Sequence, residues 1–203
     1  MFNKLLTLRR FLSGKDFYGL SLVNIFKIFN YVHVHKIEPW HLTQLASAQS
    51  YQKEVINFVN SLGYDPNIVD IGCGLGLISR RIKFKTYIGY DQSLKVINLA
   101  NILNKKPCVT FNHNAAHEIS KFNIEKNSII LSLNFLHSLT LRDVNFYFEQ
   151  VLLKCQSGIL VFDIPNNIYS LDDLFSPNHL KMIEIINRKK NVQYGRELII
   201  LRF

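Results

Sequence analysis

A chain of 203 residues is long enough for one domain with a proper core, and 48% hydrophobic against 19% charged residues exclude a disordered chain. Twenty-four basic against fifteen acidic side chains leave a formal charge of +9, which permits an anionic partner (nucleic acid, acidic lipid or a phosphorylated metabolite) and equally a merely soluble basic surface. Cys73, Cys108 and Cys155 are scattered, with no C-x-x-C pair, which excludes a disulfide framework or a zinc ribbon and points to a reducing cytosol.

The first fifteen residues, MFNKLLTLRRFLSGK, carry four bases, no acid and interleaved Leu and Phe. They read as a basic helix packed on its own domain or weakly on a membrane surface, rather than as a cleaved signal. No apolar run reaches the roughly 18 residues of a membrane span; the stretch from Phe17 to Val34 is broken by Asn24, Lys27, Asn30 and His33. Leu22, Ile25, Phe26 and Phe29 fall at helical spacing, and a second helix is expected from about Leu42 to Leu62, closed by Gly63.

From there the chain alternates. Asn67 to Ile71 is a strand, followed by a glycine loop and an expected helix through Ile82. Strands are expected at 86–90 (TYIGY), 109–112 (VTFN), 128–133 (SIILSL) and 158–163 (GILVFD). Ser93 caps a helix with Val96, Ala100 and Leu103 on its buried face. Thr140 opens another, with Asp143 as its capping-box partner and Val144, Phe148, Val151 and Cys155 inward. Ser176-Pro177 is a cap and first-turn proline that predicts a helix to about Arg188, and NVQYGRELIILRF predicts two strands around Tyr194-Gly195.

Alternating strands and helices, with strands that are near-continuous apolar runs, predict an α/β fold. It has a doubly wound, mostly parallel sheet with helices on both faces and an antiparallel C-terminal edge hairpin. The expected organisation is an N-terminal helical extension or lid over residues 1–62 and a sheet domain over 63–203, forming one globular unit. Ligands of such sheets bind beyond the carboxyl ends of the strands, where the glycine loop stands.

Two readings compete for that loop. A dinucleotide fingerprint G-x-G-x-x-G counted from Gly72 fits Gly74 and then needs glycine at 77, where Leu77 stands. The actual pattern, Asp70-x-Gly72-x-Gly74-x-Gly76, resembles motif I of the class I S-adenosylmethionine-dependent methyltransferases, (D/E)-x-G-x-G-x-G. The resemblance continues in Asp91 after the second strand, Asn114-Ala115 after the third, SIILSLNFLHSL at the fourth and QVLLKCQSGILVFD leading into the fifth. It covers roughly residues 68–163. The chain departs from the family at Ser128, where an acid is common, and at Gln156-Ser157-Gly158, where Pro-Gly-Gly is usual.

The resemblance implies S-adenosylmethionine as cofactor. It places Asp91 on the ribose hydroxyls, Asn114 and Ala115 on the adenine, and Asp70 indirectly on the methionine amino end. Gly72, Cys73, Gly74, Gly76, Gln92 and Asn134 complete the expected cofactor contacts.

Methyl transfer to a weak nucleophile needs alignment and a base. His137, just past the fourth strand, is the candidate base, with a packing role as the alternative; His33, His35, His41, His113 and His117 are lesser candidates. Asp163 and Asn166 only partly match a metal-assisted site, so no required metal is expected. The prolines that mark amino-methylation of adenine are missing at Ser132 to Phe135. The leading expectation is O-methylation of a small-molecule or glycan-like acceptor, with Phe17, Tyr18, Tyr31, Trp40 and Tyr51 as candidate pocket or core aromatics. Two alternatives stay open: an RNA methyltransferase, drawing on Arg80, Arg81, Lys83 and Lys85, and a non-catalytic cofactor-binding or membrane-associated subunit.

Overall fold

The computed structural model describes residues 30–37, 50–165, 169–190, 192 and 195–203. Within these, seven strands form one sheet in the order β3-β2-β1-β4-β5-β7-β6. They are β1 (Asn67–Ile71), β2 (Thr86–Asp91), β3 (Val109–His113), β4 (Ser128–Ser132), β5 (Gly158–Pro165), β6 (Glu184–Lys189) and β7 (Arg196–Arg202). The first five run parallel, and β7 is antiparallel to both β5 and β6. Strand order reverses between β1 and β4, the crevice where ligands of such sheets sit.

The sheet is apolar on both faces, and alternation along each strand sorts the side chains into two cores. Ile68, Ile129, Leu131, Val161 and Ile200 face α1 (Ser50–Asn60) and α2 (Leu94–Leu103), packing on Tyr51, Val55, Val59, Ile97 and Ala100. Val69, Ile71, Ile130, Leu160, Phe162 and Ile199 face α3 (Leu141–Cys155), meeting Val144, Phe148, Val151 and Cys155. Tyr51, expected as a pocket or core aromatic, belongs to the core at 1% exposure.

The two helix starts are built as the sequence predicts. Ser93 Oγ accepts from Val96 N at 3.5 Å. Thr140 Oγ1 accepts from Asp143 N at 3.2 Å and donates to the Asp143 carboxylate at 2.7 Å.

Two expected helices are corrected. The segment after the glycine loop is a single 3-10 turn, Leu77–Arg80, and not a helix through Ile82. Only five residues separate Arg80 from β2, and Ser79 Oγ spends its hydrogen on Gly76 O, at 2.7 Å, closing the turn on itself. The helix expected from Ser176-Pro177 stops after one turn at Leu180, and the chain enters β6 at Glu184. The hairpin therefore begins about seven residues earlier than the sequence suggests.

Of the N-terminal extension, residues 30–34 are helical, and Tyr31, Val32 and Ile37 pack against Leu75, Leu77, Val96, Leu99 and Leu103. The basic start, Phe17, Tyr18, Trp40, His41 and the first part of the expected helix from Leu42 lie outside the described residues, as does Asn166. No described helix is long and apolar enough to cross a membrane.

Candidate active site

A cavity of about 550 Å³ opens at the carboxyl ends of β1, β2, β3 and β4. Its wall includes Asp70, Gly72, Cys73, Gly74, Asp91, Gln92, Asn114, Ala115, Asn134 and His137. Ten of the eleven residues expected at the site thus converge there; Gly76 stands behind the wall.

The glycines answer mainly to the protein's own rings. Gly72 has φ +74, and a Cβ there would stand 2.7 Å from the Phe135 ring. Gly76 has φ +62, and its Cβ would stand 2.2 Å from Phe111. Both positions need glycine twice over, for a left-handed backbone and for an aromatic neighbour. The loop amides are also spoken for. Gly72 N and Cys73 N donate to Tyr90 O at 2.8 and 3.0 Å, and Gly76 N donates to Cys73 O at 2.9 Å. Gly74 N donates to Asp91 Oδ2 at 3.0 Å.

What the loop region offers a ligand is two carboxyl groups. Asp91, at the end of β2, accepts from Gly74 N with one oxygen and from Ser93 N, at 2.9 Å, with the other. A carboxylate has roughly four acceptor sites, so two remain for a diol. Asp70, on β1, is 4% exposed and accepts from Tyr87 Oη. Burial pushes its carboxyl up to about 7; the Tyr87 hydroxyl opposes this and the Asp91 charge adds to it. Burial, then the same two carboxylates, keep the Cys73 thiol protonated by pushing it well above its usual range.

The third-strand rim differs from expectation in one detail. Ala115 N does not face a ligand freely: it donates to Glu118 Oε2 at 3.0 Å, and Asn114 Nδ2 reaches the same oxygen at 3.5 Å. Glu118 is held down to about 2 by Lys121 and then by this Ala115 amide. The Asn114 carbonyl oxygen is left as the acceptor. Gln92 contributes its backbone carbonyl to His113 Nε2 at 2.9 Å, tying β2 to β3 beneath the rim.

On the opposite side stands a set that sequence reasoning did not assemble. Asn134 holds a left-handed backbone, φ +61, and its N–H donates to Asp163 Oδ1. Asp163 Oδ2 accepts from Arg196 Nη1, and Arg196 Nη2 lies 2.9 Å from His137 Nδ1. Asp163 is fully buried and Arg196 is 9% exposed. Burial pushes the Asp163 carboxyl up, opposed first by the Arg196 guanidinium and then by the Asn134 amide. His137 is held below its ordinary value by desolvation and by Arg196, with Asp163 pulling the other way.

A guanidinium has no acceptor, so the Arg196 contact makes Nδ1 the acceptor and leaves the neutral ring's proton on Nε2. The base expected at His137 is, in this arrangement, a hydrogen-bond donor. Tyr147 and Phe135 were likewise missed: Tyr147 Oη pairs with Ser132 Oγ, and Phe135 packs edge-on to Tyr147 while filling the space above Gly72. His33, His35, His113 and His117 show no comparable set of buried charged partners, and of these only His117 reaches the cavity wall.

This set of acceptors fits S-adenosylmethionine. Its ammonium and sulfonium are cations, matched by Asp70 and Asp91; its ribose diol matches Asp91; its adenine amino group matches the Asn114 oxygen. It does not fit a pyrophosphate, which would need free amides in the loop and would meet two carboxylates instead.

Comparison with known proteins agrees. The family model described as "Methyltransferase domain" matches residues 69–158. Among solved structures, the chain resembles magnesium protoporphyrin IX methyltransferase from Synechocystis PCC 6803. The TM-score is 0.61 at 12% identity, over 93% of this chain and 88% of that one. It also resembles N-methyltransferase NodS from Bradyrhizobium japonicum WM9, with TM-score 0.61 and 14% identity, over 85% of this chain and 97% of that one. No curated protein sequence matches the chain. With motif I at the end of β1, an acid at the end of β2, the sheet order above and the methyltransferase-domain match through 69–158, the chain resembles the class I S-adenosylmethionine-dependent methyltransferases.

Proposed function

We propose that the chain transfers a methyl group from S-adenosylmethionine to an oxygen of a small-molecule or glycan-like acceptor. The observation that carries the cofactor side is the state of the loop: the amides of Gly72, Cys73, Gly74 and Gly76 are consumed internally, while Asp70 and Asp91 border the cavity. Such a site attracts a cation and a diol and rejects a phosphate. When bound, the sulfonium supplies an activated methyl group; the protein has to position it against the acceptor and exclude water. Asp91 holds the ribose, Asn114 the adenine edge, and Asp70 the amino end. Leu133, Phe135, Leu139 and Phe146 give the acceptor side of the cavity an apolar wall, and His137 and Tyr147 stand among them. This combination suits a compact acceptor with an apolar body and one reacting oxygen.

Two measurements test this. Calorimetry on the purified chain should show binding of S-adenosylhomocysteine and none of NAD; the reverse result overturns the cofactor assignment. Labelled methyl from S-adenosylmethionine, added with the protein to fractionated cell extract, should enter small molecules or glycans. Label in RNA instead, with binding that weakens steeply with salt, overturns the acceptor class.

A further inference from the structure

We infer that Arg196, held by Asp163, is a positioning residue that fixes His137 as a neutral Nε2–H donor, so that His137 binds the acceptor oxygen by donating to it and does not take its proton. The inference rests on the methyltransferase reading above and deepens it by naming how the histidine of the site meets the acceptor.

The geometry is a relay across three elements. Asp163 on β5 is fully buried, and its two oxygens are taken by Arg196 on β7 and by the Asn134 amide at the end of β4. That grip fixes the guanidinium, which turns its second terminal nitrogen to His137 Nδ1 at 2.9 Å. His137 sits in the 3-10 turn Leu136–Ser138, which is anchored by Leu136 in the core and lines the cavity. A base needs a free lone pair. In the neutral ring only Nδ1 has one, and Arg196 occupies it.

Protonating the ring would also place an imidazolium beside a guanidinium, and burial and Arg196 already hold His137 below its ordinary value. Asp163, from β5, is the opposing charge and is neutralised by its own pair with Arg196. The other ionisable groups on the cavity wall are Asp70 from β1, Cys73 in the glycine loop, Asp91 at the end of β2, His117 after β3, and Asp143 and Tyr147 from α3.

The transfer then balances with the acceptor oxygen ionised, its proton having gone to solvent or to a group other than His137. A lone pair of the ionised oxygen forms the new C–O bond as the C–S bond breaks, and the C–S pair returns to sulfur. The Nε2–H is a donor for the acceptor's oxygens, holding the substrate by a hydrogen bond that needs no charge on the ring.

The test is ring-nitrogen NMR on the full chain with 15N-labelled histidine, run beside calorimetry with S-adenosylhomocysteine. His137 should show a protonated Nε2 and an unprotonated, hydrogen-bonded Nδ1, unchanged from pH 8 down to below the ordinary imidazole value. In the double variant Asp163→Asn, Arg196→Gln the buried pair is neutral on both sides. There His137 should lose its tautomer bias and titrate closer to the ordinary range. A wild-type His137 with its proton on Nδ1, or one that titrates like a free imidazole, overturns the inference. An unchanged His137 in the double variant overturns the role of Arg196. Loss of S-adenosylhomocysteine binding by the wild type with the tautomer intact would instead overturn the methyltransferase reading alone.

Discussion

Replacing Asp70 by asparagine should stabilise the ligand-free protein at alkaline pH and do much less at acid pH. The carboxyl is 4% exposed, and burial raises it from 3.8 to about 7. A raised acid contributes stability that is fully present below its unfolded value and is lost as pH climbs through its folded one. The window is therefore from about 4 to about 7. Roughly three pH units at about 1.4 kcal/mol each put the cost of the buried charge near 4 kcal/mol at pH 8. Asparagine keeps an oxygen for the Tyr87 hydroxyl but brings a buried amide, which costs about 1–3 kcal/mol at every pH. The pH-dependent part is therefore the cleaner quantity. About two of the three units lie between pH 5 and pH 8, so the mutational effect should shift by ~2.5 kcal/mol in favour of the variant over that interval. Urea unfolding of both proteins, without ligand, at the two pH values measures this directly. A shift below about 0.5 kcal/mol would refute the account of Asp70 as an acid held protonated by burial. The same acid predicts a trade-off. A cation bound beside it restores ionisation, so S-adenosylhomocysteine binding below pH 7 should release a proton, seen as a dependence of the calorimetric heat on buffer. Asp70→Asn should abolish that release and weaken binding.

Asp91→Ala should weaken S-adenosylhomocysteine binding by about 1.5–3 kcal/mol, the range for hydrogen bonds to a charged group, and an unchanged dissociation constant would place the ribose elsewhere. Gly76→Ala combines a left-handed φ of +62 with a Cβ 2.2 Å from Phe111, and should cost ~2–5 kcal/mol in urea unfolding; a loss under 1 would mean the ring moves aside freely. Thr140→Ala removes the oxygen that accepts from Asp143 N and should cost about 0.5–2 kcal/mol without changing cofactor affinity; no loss of stability would mean the cap is redundant.

What was legible in the sequence, and what was not, follows from where each element finds its partners. β1 is read residue for residue because an apolar run buried on both faces leaves no other solution, and Ser93 and Thr140 mark helix starts because a cap is satisfied within three residues. β6 is hidden for the opposite reason. Of its six side chains only Ile186 is partly buried, and a register shift between Ile185 and Asn187 breaks any period-two pattern. Hydrogen bonds to β7 define it as a strand, and those are invisible in a local window. The site divides in the same way. The cofactor side is written in one short segment, Asp70 to Gly76, in Asp91, which closes β2, and in Asn114, just past β3. The acceptor side is assembled from Asn134, Asp163 and Arg196, successive partners 29 and 33 residues apart, and from His137, which lies 59 residues before Arg196. The apolar run that follows Arg196 predicts a strand, but nothing local says that its first side chain turns inward. Only the antiparallel return of β7 alongside β5, with Pro165 opposite Arg196 in the register, brings the guanidinium onto Asp163 and within reach of His137. A histidine's position therefore marks it as a candidate for proton transfer. Whether it accepts or donates depends on which ring nitrogen a distant strand has already claimed.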